Sequence, residues 1–341
     1  MSPEGSASAV ASDARGKKVQ RRWTAIGAWH VAIVLGLILP LVLSTGLLQV
    51  YIFIGLYVMV VAGLSLLMGF AGQVSLGQAA FYAIGAYTAA LLARNAHVPP
   101  VVGLVIAPLL TAAIATIVGL PLLRLRGHYL AFGTLAFQLI TLSVIGEAKD
   151  LTGGDTGLTN IPSLGFEGPF KSIAFAYLAW LLAGATLLMN QRLVNSRPGR
   201  ALRALATSEA GALSTGVAVG RYKLQVFALS AAYAGLAGGV YAFYVSYIAP
   251  GSFPLVLSIQ FLIMATVGGL GSVWGSVAGA AIVFLVVQLL EALGTLPGMP
   301  LRAPAVFSYT VYGAILVGIM LGLPRGVVPS LDRFRASRRR V

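Results

Sequence analysis

LQVFALSAAYAGLAGGVYAFYVSYIAPGSFPLVLSIQFLIMATVGGLGSVWGSVAGAAIVFLVVQLL, residues 224–290, runs for 67 residues without an Asp, Glu, Lys or Arg. One membrane crossing takes about 20 apolar residues, so this run holds about three. Its internal punctuation is Ala249-Pro250-Gly251-Ser252 and Gly268-Gly269-Leu270-Gly271-Ser272. Outward from it, further charge-free runs cover residues 23–93, 95–123, 127–146, 172–191 and 303–324. The first of these also holds about three segments, divided at Ser44-Thr45-Gly46 and Gly69-Phe70-Ala71-Gly72-Gln73. The expected fold is an all-α polytopic helical bundle of about 8–10 transmembrane segments. The count is ten, or eight or nine if glycine-broken pieces re-enter instead of spanning.

Composition agrees. Apolar residues make up 58% of the chain and charged residues 9%, against about 25% charged in soluble domains. Mean hydropathy is +0.90. The net charge of +14 follows from topology, with no need for nucleic acid. With the N-terminus inside and ten crossings, the inner side receives 19 of the 23 basic residues. The outer side receives Arg94, Lys149, Lys171 and Arg302 with most of the acids, as the positive-inside rule requires. Residues 1–22 read as a disordered basic cytoplasmic tail leading into an uncleaved helix, since no A-x-A-like site precedes it. Residues 23–330 form the membrane domain, and 331–341 a second basic cytoplasmic tail. A bacterial plasma membrane location, with both termini cytoplasmic, is the expectation.

Several kinds of chemistry find no support. The chain has no cysteine, and His30, His97 and His128 lie far apart, so no metal motif is spaced. Mid-span carboxylates, the usual mark of ion-coupled carriers, are missing: Glu147 and Glu291 fall at outer span ends. Paired catalytic acids and a phosphate-binding G-x-x-x-x-G-K-[ST] loop are also absent. A transporter so equipped is passive or draws on a partner's energy. A secondary carrier of small polar solutes, and a membrane sensor that moves nothing, stay as alternatives.

One long polar segment interrupts the apolar blocks: QRLVNSRPGRALRALATSEAGALSTGVAVGRYK, residues 191–223, with six basic residues against Glu209. Ser196-Arg197-Pro198-Gly199 reads as a turn and residues 200–206 as a short basic helix. Thr207 or Ser208 then offers an N-cap, Glu209 suits the positive helix end, and Gly216 stands where a C′ glycine ends a helix. The short helix would present Ala210, Ala212 and Leu213 to another protein. The basic flank, Arg200, Arg203, Arg221 and Lys223, would lie on anionic headgroups or on that partner.

Residues 199–242 of this segment resemble the cytoplasmic coupling loop and following helix of LivM-type permeases from branched-chain amino-acid ABC transporters. GLSLLMGFAGQVSLGQAAFYAIGAYTAALLA (63–93) resembles that family's glycine-rich N-terminal signature. RLRGHYLAFGTLAF (124–137) with LTGGDTGLTNIP (151–162), then SIQFLIMATVGGLGSVWGSVAGA (258–280) and Pro324-Arg325-Gly326, continue the likeness in order, across about 45–330. The resemblance implies a second permease subunit, two cytoplasmic ATPases that carry ATP and magnesium, an extracytoplasmic binding protein, and no cofactor on this chain. It places the coupling helix at about Thr207–Gly216, with Leu213 where relatives often have an acid, so that a packed contact would replace a polar one.

Other features carry two readings each. Gly271, Gly275 and Gly279 recur every fourth residue, for packing within the chain or between permeases. Gly72, Gln73, Ser75 and Gln78 either bond neighbouring helices or line a translocation path. The Leu151–Pro162 loop is a docking lip or an ordinary loop. Tyr241, Tyr244 and Tyr247 read as an interfacial aromatic belt. Residues 69–90 and 268–289 share a faint pattern of glycine turn then small-residue helix.

Overall fold

A computed structural model describes residues 36, 39–96, 98–125, 127–166, 168–294, 313, 314, 318, 326 and 327. The tails, the first expected span and the last one, at 303–324, fall largely outside them, as do Arg126, Glu167 and Arg302. The chain divides into two compact units, 1–48 and 49–341. In the first, residues 39–42 are helical and a second helix begins at Thr45.

Ten helices of six residues or more carry the described architecture, with no β-strand among the described residues. They are α1 (Thr45–Ala71), α2 (Gln78–Arg94), α3 (Pro100–Leu122), α4 (His128–Glu147), α5 (Lys171–Asn195), α6 (Arg197–Thr207), α7 (Glu209–Ser214), α8 (Val219–Val245), α9 (Leu255–Gly268) and α10 (Val273–Gly294). Seven segments among the described residues are long and apolar enough to cross a membrane: α1, α3, α4, α5, α8, α10, and α9 taken together with the turn that begins at Pro250. The 17-residue α2 is shorter than these but almost wholly buried. The punctuation expected inside the long runs falls where α1 begins and ends, and where α9 begins and ends.

The helices sort into a core and a rim. In α1 and α8 most of the apolar window is buried, whereas in α3 only 22% is. Val101, Val105, Leu109, Ile117 and Leu120 of α3 are exposed. In water such a stripe would be a liability; facing hydrocarbon it is the expected surface, because lipid tails are as apolar as leucine.

That same equivalence removes the hydrophobic drive for helices to associate, so the core is held by close backbone contact. Gly235 of α8 is the centre. A methyl group there would run into Thr111 of α3, and one at Gly85 of α2 would run into the Gly235 backbone. One turn on, Gly238 lies against the Tyr82 carbonyl. Polar bonds fasten α5 to this core. Asn190 donates to the Ala62 carbonyl at 2.9 Å and accepts from the Tyr233 hydroxyl at 3.0 Å, all buried. Nearer the start of α5, Trp180 donates to the Tyr51 carbonyl at 3.0 Å and stacks on that ring.

The 151–162 loop is tied to the end of α8. Leu158 and Ile248 exchange backbone hydrogen bonds as an antiparallel bridge. Tyr247 donates to the Thr156 carbonyl. Gly275 and Gly279 of α10 pack on the Gly268 end of α9, a contact within the chain. Gly271 is not on that helix face. It lies in the intervening turn at φ +77°, where Gly69 abuts it, so the two glycine turns with a shared sequence pattern lie side by side.

Since Gly235 has backbone on one side and Thr111 on the other, Gly235→Val should destabilise the purified protein by about 1–3 kcal/mol or more. Gly184→Ala, at a site with open space, should not. Heating in detergent followed by size-exclusion chromatography reads the difference.

Candidate functional site

Two helices of the core do not span from edge to edge. A 14-residue helix such as α9 is about 21 Å long, short of the roughly 30 Å hydrocarbon core. Successive spans alternate direction, so α2 and α9 start from opposite faces. Yet their N-termini meet: the Ala79 amide donates to Ser258 Oγ at 2.9 Å. Ser258 Oγ in turn donates to Gln138 Oε1 at 2.6 Å, and Gln138 Nε2 donates to the Pro254 carbonyl at 3.3 Å. Gln138 is the midpoint of the 20-residue α4. The meeting point is therefore near mid-depth, and both helices are entered through non-helical chain.

The approach to α2 is residues 72–77, in which Gln73, Ser75 and Gly77 are buried while Gly72 and Val74 are exposed. This alternation is that of an extended segment. Backbone groups there cannot go unbonded in a membrane interior, and neighbouring helices supply partners. Thr134 Oγ1 accepts from the Leu76 amide at 2.9 Å, and Ser75 Oγ from the Gly77 amide at 3.4 Å. Gln78 Nε2 donates to Ser230 Oγ at 3.1 Å. Against this satisfaction stand both side-chain amide atoms of Gln73 and the Gln78 Oε1, all buried without a hydrogen-bond partner among the described residues. Of the predicted path residues, Gln73, Ser75 and Gln78 are thus brought together in the interior, while Gly72 is at the exposed start.

Above this junction lies a cavity of about 340 Å³ among α1, α2, α8, the Pro250–Ser252 turn and α9. Aromatic rings wall it. Tyr82 packs against Tyr241, Phe253 and Phe261, and Phe53 against Tyr57 and Tyr241. The expected tyrosine belt is corrected here. Tyr241 lines the cavity and Tyr244 packs between Phe53 and Phe175, leaving Tyr247 as the outward ring. The period of three on a helix places residues on one face, and that face points inward at this level. The cavity itself went unread in the sequence. Its signals were Pro250 and Pro254 in an apolar run and the lone amide Gln138 in the middle of a span.

On the face where α5 ends and α8 begins stands the polar arm. Ser196 is an N-cap, accepting from the Gly199 amide, so residues 196–199 open a helix and are not a free turn. Pro198 fits this because the first turn needs no amide from it. Leu202 and Leu205 bury one face of α6, while Arg200 and Arg203 are exposed on the other. Thr207 ends α6, its hydroxyl donating to the Arg203 carbonyl. Ser208 is the cap of α7, with Oγ accepting from the Gly211 amide at 3.1 Å. Gly216 then reverses the chain at φ +79°, a conformation that glycine adopts without strain.

Six residues make α7, shorter than expected. Ala212 is buried against the protein where presentation to a partner was expected, because the helix lies back on α6 and α8. The presented residues are Ala210 and Leu213, the latter 57% exposed. Arg221 is exposed as expected. Lys223 is not a free anchor: its Nζ pairs with Glu209 Oε2 at 2.7 Å, tying α7 to the first turn of α8. No cluster of metal-binding side chains occurs among the described residues.

Residues 46–320 match the family described as branched-chain amino acid transport system, permease component. The chain is 31% identical over 322 residues to the high-affinity branched-chain amino acid transport system permease protein LivM of Escherichia coli, an alignment covering 87% of this chain and 73% of that protein. It is 30% identical to the Salmonella typhimurium LivM, over 85% of this chain and 72% of the other. A probable LivH permease of Methanocaldococcus jannaschii is 27% identical, over 81% of this chain and 89% of the relative. A chain with these apolar helices and this match over most of its length is a multi-pass ABC transporter permease, and it belongs to the family of branched-chain amino acid transport system permease components.

Proposed function

We propose that this chain is a permease subunit of an importer that moves branched-chain amino acids, or a close small polar analogue such as urea or a short amide, across the bacterial inner membrane into the cytoplasm. Two cytoplasmic ATPase subunits energise it, a second permease subunit completes the pathway, and an extracytoplasmic binding protein delivers the solute. Both termini are cytoplasmic in this reading.

The observation that carries it is the arm at α6 and α7. Leu213 is a large apolar side chain left exposed on a polar, basic segment. An exposed leucine on a capped, ion-paired helix has the form of a plug for a groove on another protein. Its attachment is stiff where coupling needs it. The Glu209–Lys223 pair and the Gly216 reversal join α7 directly to α8, and α8 carries Ser230, Gly235 and Tyr241 into the core. Nucleotide-driven motion of the ATPases would enter at Leu213 and travel along α8 to the junction of α2 and α9. Arg200, Arg203 and Arg221 meet headgroups or the ATPase surface. Gln73, Ser75 and Gln78 line the path through which the solute leaves.

Glu209→Arg combined with Gly216→Pro should abolish co-purification of the ATPase subunits with this chain; co-purification at wild-type yield refutes the coupling site. Leu213→Asp, at an exposed position, should leave the thermal stability of the permease unchanged while ATP-driven amino-acid uptake by the reconstituted complex falls about tenfold or more, the loss expected when an apolar anchor worth roughly 1.4 kcal/mol is replaced. Gln73→Leu removes an unbonded buried amide, so stability should hold or rise, yet uptake should fall; unchanged uptake would remove Gln73 from the path.

A further inference from the structure

The cavity beside the broken helices has the chemistry of a ligand site. Its volume, about 340 Å³, lies in the range of small-molecule pockets. Its wall includes Phe53, Tyr57, Tyr82, Tyr241, Ser252 and Gln260, and among the described residues none that lines it is acidic or basic. Three observations specify what fits. The N-terminus of α9 opens on the cavity at Pro254 and Val256, and the first amides of a helix favour a negative group. Tyr82, 1% exposed, lines the same cavity with a hydroxyl that has no hydrogen-bond partner among the described residues. A buried hydroxyl without a partner costs about 1–3 kcal/mol, and a ligand acceptor removes that cost. The tyrosine and phenylalanine rings supply faces for an ammonium group and apolar surface for a side chain.

We propose that this cavity is the intramembrane binding site of the transported solute, and that it selects a neutral zwitterion with an apolar side chain, an inference that rests on the reading of the chain as an amino-acid permease. The carboxylate is held by the start of α9 with the Tyr82 hydroxyl donating to it. The ammonium lies on the ring faces, and the side chain lies among Phe53, Tyr57 and Leu257. A second ionic group on the solute would be buried without a counter-charge, which is strongly unfavourable, so acidic and basic amino acids are rejected here. The position is the one where discontinuous helices bring their N-termini together near the midplane, the general design of intramembrane solute sites.

The chain has no cysteine, so Ser252→Cys and Gln260→Cys each place a unique thiol on this subunit at the cavity wall. Thr88→Cys on α2, outside the cavity, is the control. In the assembled transporter, leucine should slow methanethiosulfonate labelling of both cavity thiols at least threefold, with glutamate, lysine and the Thr88→Cys control showing no such effect. Adding Tyr82→Phe should raise the leucine concentration for half-protection about tenfold, the effect of losing a hydrogen bond to a charged group. If wild-type transporter imports leucine while neither thiol is protected, the cavity assignment fails and the permease reading stands. Protection by glutamate or lysine equal to that by leucine overturns the zwitterion selection, and half-protection unmoved by Tyr82→Phe overturns the role of its hydroxyl. If wild-type transporter imports no neutral amino acid and no protection is seen, both readings fail together.

Discussion

The hydroxyl of Ser258 accepts the Ala79 amide and donates to Gln138, and the interior of this protein is arranged around that junction. In hydrocarbon an unbonded amide or carbonyl costs several kcal/mol. A helix that begins at mid-depth is therefore possible only if other helices complete its first turn. Here α4 contributes Thr134 and Gln138 and α9 contributes Ser258, while α8 holds the Gln78 side chain through Ser230. Removing any one leaves a donor or acceptor stranded where water cannot replace it. The break in the helix and the side chains that permit it are one structural unit. The non-helical segment at 72–77 exists because its amides are met by the Leu67 carbonyl of α1, by Thr134 of α4 and by its own Ser75.

Glycine plays the complementary part. The junction needs α2 close to α8, and the Gly85–Gly235 contact brings their backbones together with nothing between. Dispersion forces at that distance and the Asn190–Tyr233 and Trp180–Tyr51 bonds hold the core, since exclusion of water between helices contributes little inside a bilayer. The division of residue types follows. Small residues lie on α2 and α8 at the centre, and large aliphatic residues point outward from α3 and α4, where lipid or another subunit meets them.

How much of this was legible in the sequence depends on the range of the interaction concerned. Span positions were readable because hydrocarbon demands a long charge-free run, and the breaks at Ser44–Gly46, Gly69–Gln73, Ala249–Ser252 and Gly268–Ser272 coincide with helix ends. The arm was readable in outline because caps are local: Ser208 and Gly216 act within a few residues of themselves. Its detail was not. Ala212 turned inward because α7 folds back on α6 and α8, and Lys223 was drawn to Glu209 across 14 positions, neither of which a local pattern contains. The aromatic cavity was hidden for the same reason. Tyr82, Tyr241 and Phe53 lie far apart in sequence and become neighbours only when α1, α2 and α8 pack. Gln73 and Gln78 were singled out as polar residues in an apolar run, yet whether they bond neighbours or face a path could not be read from spacing. The structure divides them: one Gln78 atom is bonded, and both Gln73 amide atoms are not.

The geometry of α8 bears on how a small force at the arm would reach the interior. This 27-residue helix is about 40 Å long and reaches the arm, α2 and the cavity. Its first turn holds the arm through Lys223, its middle holds α2 through Ser230, Gly235 and Gly238, and its end supplies Tyr241 to the cavity. Flexible side chains absorb small displacements by changing rotamer, but backbone packed on backbone at glycine has no such slack. A shift of α8 must either carry α2 with it or separate the two. Packed cores respond to displacement by switching between discrete arrangements, not by gradual deformation. On the proposed coupling, motion of α8 would therefore act on the Gln78–Ser230 bond and on Tyr241 together, linking the state of the arm to the shape of the cavity through one rigid element.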